Sequence, residues 1–128
     1  MAERTTRPKG HTARQKAGDF GEDQAAAHLA LHGFACLAQN YHSRYGEIDL
    51  IAADDRWLLF VEVKTRRTGS IVSAREAVDL RKQQRLTATA ELYLAEHPTQ
   101  LQPRFDVVCV ELNSAGDCIG IEWLENAF

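Results

Sequence analysis

Gly46-Glu47-Ile48-Asp49-Leu50-Ile51-Ala52-Ala53-Asp54-Asp55-Arg56-Trp57-Leu58-Leu59-Phe60-Val61-Glu62-Val63-Lys64 is the stretch whose reading decides how this chain folds. Two largely apolar runs flank Asp54-Asp55, a pair that favours a turn. The runs read as the strands of a hairpin, Glu47–Ala53 and Trp57–Thr65, buried on both faces. With the turn centred between Asp55 and Arg56, Ile48 faces Val63, Leu50 faces Val61 and Ala52 faces Leu59 on a wholly apolar side. The other side pairs Ala53 with Leu58, Ile51 with Phe60, Asp49 with Glu62 and Glu47 with Lys64. Its apolar surface therefore ends in three carboxylates and one ammonium. Like charges directly opposed cost about 0.2–1 kcal/mol even on a surface, and burial raises that cost. Lys64 can neutralise part of the charge, a carboxyl can hold a proton, or a divalent cation can bind. Mg²⁺ suits such a place, because it takes one or two carboxylates together with waters and phosphate oxygens. Mn²⁺ is the alternative ion.

The 128 residues suit one domain with a core of useful size. No apolar run reaches transmembrane length, and the basic N-terminus lacks the apolar stretch of a signal peptide. Cys36, Cys109 and Cys118 lie in strand-like segments without a Cys-x-x-Cys pair, which predicts buried free thiols in a reducing, cytoplasmic setting. The net charge of −3 conceals an asymmetry. Arg4, Arg7, Lys9, Arg14 and Lys16 stand against Glu3 alone near the N-terminus. Lys64, Arg66, Arg67, Arg75, Arg81, Lys82 and Arg85 stand against Glu76 and Asp79 in the middle. These two segments hold 12 of the 15 basic residues. Positive charge beginning at a carboxylate cluster suits an anionic polymer, because each phosphate contact releases condensed counterions. Residues 86–128 contain seven acids and only Arg104 as a base, so a nucleic-acid face belongs on the hairpin side.

Outward from the hairpin, residues 1–16 are polar, basic and aperiodic, and are expected to form a flexible tail ahead of a single domain over 17–128. Asp19-Phe20-Gly21-Glu22 has the form of a capping box, opening a helix that runs to about His32 and stops at Gly33. Phe34 to Gln39 reads as a strand and Asn40 to Arg44 as a connection. Arg66 to Ser70 reads as a loop. Ser73-Ala74-Arg75-Glu76 is a second capping-box pattern, opening a helix that ends before Pro98. Its apolar face includes Val78, Leu86, Ala90 and Tyr93, and Lys82 falls on that face, four residues from both Val78 and Leu86. A lysine so placed points along the buried side toward a site. Gln100–Pro103 is a loop, and Phe105–Leu112 and Cys118–Leu124 are strands. The order α-β-β-β-α-β-β predicts an α/β fold, a mixed five-stranded sheet flanked by helices.

Asp49 followed by Glu62-Val63-Lys64 has the form D-x12-E-x-K. Glu62 and Lys64 share a strand face, because side chains alternate. Phosphodiester hydrolysis needs a metal to polarise the phosphate and activate water, and a further group to orient that water or stabilise developing charge. Two carboxylates and a lysine supply this set.

Gly18-x-x-Gly21-Glu22, Gly46-Glu47-Ile48-Asp49-Leu50-Ile51, Phe60-Val61-Glu62-Val63-Lys64-x-Arg66 and Arg104-Phe105-Asp106-Val107-Val108 resemble the YraN family of small bacterial proteins, in order over about residues 15–112. That family is similar in fold to PD-(D/E)XK nucleases, nearest to archaeal Holliday-junction resolvases. The resemblance implies a restriction-endonuclease-like core. It makes Asp49 and Glu62 metal ligands with the Val63 carbonyl as a third, Lys64 the catalytic lysine, and Glu22 an extra carboxylate. Ile48 stands where the "PD" element has proline. The resemblance further implies a homodimer, since two symmetric cuts need two sites. Arg66, Arg67, Lys82 and Arg85 are the candidates for nucleic-acid contact.

The reading that follows is a metal-dependent endonuclease-like protein acting on DNA, with branched or damaged DNA as the candidate substrates. The alternative is a non-catalytic nucleic-acid-binding module with the same fold. His28 and His32 have the i, i+4 spacing of a shared metal site but lack the Glu of H-E-x-x-H and read as ordinary helix surface. Arg104 and Asp106 read as structural.

Overall fold

A computed structural model describes residues 13–68 and 78–128. Its elements are α1 (Ala13–Leu31), β1 (Ala35–Ser43), β2 (Gly46–Ala53), β3 (Trp57–Arg67), α2 (Leu80–Glu96), β4 (Gln102–Leu112) and β5 (Cys118–Leu124). The strands form one sheet in the order β1-β2-β3-β4-β5. Neighbours are antiparallel except β3 and β4, which run parallel and are joined by the α2 crossover. This is the predicted α/β fold, with the strand order of a nuclease-like core.

The helices cover opposite faces. Leu50, Ala52, Leu59, Val61, Val108, Val110 and Leu112 pack with Ala25 and Leu29 of α1. Ile51, Leu58, Phe60, Val107 and Cys109 pack with Leu86, Ala90 and Tyr93 of α2. β3 lies mid-sheet with helices on both sides, which is why its sequence is a continuous apolar run rather than an alternation. The three cysteines are free, and Cys109 is buried. Among the described residues no helix is long and apolar enough to cross a membrane.

The hairpin register is the predicted one from Ala53–Leu58 through Ile51–Phe60 to Leu50–Val61, where the ladder ends. Ile48 does not join Leu50 opposite Val63. It packs instead with Ile51 on the α2 side. In the neighbouring strand Asn40 adopts φ 53°, in the left-handed region that asparagine tolerates. The pairing of β1 with β2 keeps one register from Ala38–Ile51 to Ser43–Gly46, and its shift lies earlier, between Cys36 and Ala38. The strand continues to Ser43, so Asn40–Ser43 is strand rather than connection.

Helix boundaries also differ from expectation. α1 begins at Ala13, so the Asp19 capping box lies within it and residues 13–16 are helix rather than tail. Ala-Arg-Gln-Lys-Ala is a run of strong helix formers, which accounts for the early start. Residues 1–12 lie outside the described residues. So does the Ser73–Glu76 pattern. The N-cap of α2 is Asp79, whose carboxylate accepts the Lys82 N–H at 2.9 Å.

Candidate active site

Four elements converge where β2 and β3 part. Asp49 Oδ2 accepts the Val63 backbone N–H at 2.8 Å, so a side chain takes the donor that the strand ladder leaves unpaired. Glu62 is buried, 5% exposed, on β3. Both lysines of the site reach the same oxygen of it: Lys64 Nζ lies 3.4 Å from Glu62 Oε2, and Lys82 Nζ makes a closer ion pair with that atom. Lys82 thus points along the buried face of α2 to the carboxylate, as its periodicity predicted. The other expected pair does not form. Glu47 lies 3.2 Å from His42 Nδ1 on the exposed rim rather than against Lys64, because β2 has already diverged from β3 at Glu47.

Glu22 comes to the site through a close helix–strand approach. A Cβ added to Gly21 would stand 2.1 Å from Thr65 Oγ1, so only glycine lets α1 lie this near β3. Asn40 Nδ2 then donates to Glu22 Oε1 at 3.0 Å. Asn40, Thr65 and Asp79 are contributors that sequence reasoning missed. The only signal was a polar Gln39-Asn40 step interrupting a strand.

Two hollows meet at the carboxylates. One, of about 700 Å³, is lined by Glu22, Asp49, Glu62, Val63, Arg66 and Arg67, among others. The other, of about 380 Å³, shares Glu47, Asp49 and Glu62 and adds Arg81, Lys82 and Arg85 from the start of α2. All nine expected site residues line one or other hollow except Lys64, which touches Glu62 from its own strand. Arg66 also lies 3.4 Å from Glu122.

The electrostatics match the crowding. Burial pushes the Asp49 carboxyl well above its ordinary range, and the charge of Glu62 pushes it further, against the opposing Val63 N–H bond. The lysines diverge. Burial and then the neighbouring Lys82 ammonium lower the pKa of Lys64. Burial also opposes the charge on Lys82, but the hydrogen bond and charge of Glu62 outweigh it and raise its pKa. Two adjacent amines held apart in this way leave Lys64 the readier to give up a proton.

The donors suit a hard divalent cation: two adjacent carboxylates in an anionic, partly dehydrated place, one of them carrying an unfavourable charge. Among the described residues no three Asp, Glu, His or Cys side chains are drawn together tightly enough to share one ion. Asp49 and Glu62 are the neighbouring pair of carboxylates, and Asn40 holds Glu22 beside them. His28 and His32 pack against Trp123.

A profile described as "Uncharacterised protein family UPF0102" matches residues 21–110, a span containing every residue of this site. The chain is 43% identical over 113 residues to the UPF0102 protein of Dichelobacter nodosus, covering 88% of each. It is 40% identical over 111 residues to that of Porphyromonas gingivalis, covering 87% of this chain and 82% of the relative. Against a UPF0102 protein of Pseudomonas aeruginosa the identity is 38% over 122 residues, covering 91% and 98%.

Proposed function

We propose that this chain, which belongs to the uncharacterised protein family UPF0102, is a metal-dependent nuclease hydrolysing phosphodiester bonds in DNA. The observation that carries the reading is the meeting of Asp49, Glu62 and Lys64 at the junction of two cation-lined hollows. Asp49 and Glu62 would hold a Mg²⁺ or Mn²⁺ ion together with the Val63 carbonyl, and Glu22 would add negative charge beside it. Such an ion would supply polarisation of the phosphate and a lowered pKa for a coordinated water.

The remaining work falls to the chain itself. Lys64, with its lowered pKa, orients the attacking water and takes up or relays its proton. Asn40 keeps Glu22 turned inward. Arg66 and Arg67 on one side, and Arg85 on the other, receive the phosphates flanking the scissile bond. Branched or damaged DNA is the substrate class proposed, and paired cuts across a junction would require a homodimer.

The test offers duplex, single-stranded, flap and four-way DNA, and RNA, to the purified full chain with Mg²⁺ or Mn²⁺. Cation-dependent cuts are expected, lost in Lys64→Ala and Asp49→Asn. Salt-sensitive binding without cuts would instead indicate a non-catalytic nucleic-acid-binding module, and binding of none of them would contradict both readings.

A further inference from the structure

Lys82 is in an unusual position for a cation. It lies in the first turn of α2, flanked by Arg81 and followed by Arg85, with no acidic residue in that turn. A helix N-terminus carries partial positive charge and disfavours cations within its first turn. The Asp79 carboxylate at the N-cap offsets part of the penalty, and Glu62, from a different element, offsets more by making with Lys82 the closest ion pair of the site. Lys64 already supplies an ammonium to the same oxygen from the same strand. Glu62 thus has one cation of its own strand and a second brought across by the helix.

The two ends of this pair differ in exposure. Glu62 is buried, 5% exposed, whereas the Lys82 side chain is 37% exposed. Lys82 also lines the smaller hollow beside Arg81 and Arg85, so its flexible four-carbon stem can reach either the carboxylate or that hollow. The hollow sets Arg81, Lys82 and Arg85 beside the carboxylates of Glu47, Asp49, Glu62 and the helix cap Asp79, so its three cations suit a phosphate once a divalent ion offsets Asp49 and Glu62.

We propose that Lys82 is an exchangeable counter-ion. Its ammonium occupies the Glu62 oxygen until a divalent cation binds, and it then turns into the hollow between Arg81 and Arg85 to hold a phosphate of the nucleic acid. This rests on the proposal that Asp49 and Glu62 bind a divalent cation. Its consequence is mutual dependence. The cation releases Lys82 for the phosphate, and the phosphate holds Lys82 away from Glu62, so each strengthens binding of the other by the same factor.

The experiment measures Mn²⁺ binding by calorimetry to the full chain and to Lys82→Met, in the absence of nucleic acid. Removing the competing ammonium should tighten Mn²⁺ binding by about 5–50-fold, within the usual range of coupled sites. Lys82→Arg, which keeps the charge, should stay near the original affinity. A four-way DNA junction should bind the original chain more tightly with Ca²⁺ than without, and Lys82→Met should lose most of that difference. Equal or weaker Mn²⁺ binding by Lys82→Met, alongside measurable binding by the original chain, overturns the counter-ion role and leaves the metal site standing. No Mn²⁺ binding by either overturns both. A variant that fails to fold is bypassed by following the Lys82 ¹³Cε resonance of the original chain during a Mg²⁺ titration. Departure from its Glu62-bound position supports the exchange, and an unmoved resonance at saturating Mg²⁺ overturns it.

Discussion

The Asp49 carboxylate accepts the backbone N–H of Val63 at 2.8 Å at the point where β2 and β3 cease to pair. One side chain thereby closes the end of the hairpin and stands next to Glu62. Its pKa is raised by burial first and by Glu62 second.

That shift sets a pH dependence. A carboxyl whose pKa is higher in the folded than in the unfolded state binds its proton more readily when folded, so its contribution to stability declines as pH rises from about 4 through the folded value. At neutral pH without divalent cations Asp49 therefore contributes less to stability than it does near pH 4. Asp49→Asn keeps an oxygen acceptor for the Val63 N–H and removes the charge. It should gain about 0.5–2 kcal/mol at pH 7, with the gain vanishing toward pH 4. Urea denaturation in EDTA at both pH values checks this, and a loss of stability at pH 7 would contradict it.

Lys64 should be replaceable by neither charge nor bulk alone. Lys64→Arg retains a cation beside Glu62 but cannot shed its proton. Cleavage should fall by about 10²–10⁴-fold, the span attributed to a positioned acid or base, while DNA affinity changes little. Single-turnover rates and binding isotherms, read together, separate the two effects.

The contact of Gly21 with Thr65 makes a stability prediction outside the chemistry. Gly21→Ala forces a methyl against Thr65 Oγ1 and should cost about 1–3 kcal/mol, as overpacking does. Adding Thr65→Ala should recover most of it, because the two residues touch and their effects are not additive. Urea midpoints of the single and double variants measure the coupling.

Asp106 lies on β4 in register with Val61, one residue short of Glu62, and its side chain ties Arg104 to the C-terminal segment. It is fully buried and accepts bonds from Arg104 Nε and Nη2 at 2.9 and 2.8 Å, from Trp123 Nε1 at 2.8 Å and from the Asn126 N–H at 2.9 Å. Asp106→Ala leaves the Arg104 guanidinium without its principal partner and should destabilise by about 3–5 kcal/mol. Cleavage per folded molecule should be unchanged, as measured well below the melting temperature.

Much of this was legible in the sequence for identifiable reasons. The Asp54-Asp55 turn and the apolar runs gave the hairpin register, since a one-residue slip would have exposed every core side chain. The spacing of Lys82 with Val78 and Leu86 put it on the inner side of α2. What stayed hidden depended on contacts between distant segments. At the end of the ladder the Asp49 side chain takes the Val63 N–H, and Asn40 in β1 is left-handed, features that alternation does not encode. Sequence pattern alone places the start of α2 at Ser73 and passes over the capping chemistry of Asp79. The glutamate at Glu76 favoured the first pattern on local grounds, yet Asp79 caps the helix whose first turn carries Lys82 to Glu62. Glu22 reaches the site only because Gly21 meets Thr65, a contact between residues far apart in the chain.

The most direct measurement is cleavage of a labelled four-way DNA junction in Mn²⁺ by the full chain and by Asp49→Asn, purified side by side. Cation-dependent cutting by the first and none by the second is the predicted result. Equal cutting by both, or an intact junction with both at saturating protein and cation, would contradict the assignment of Asp49, Glu62 and Lys64 as a hydrolytic site.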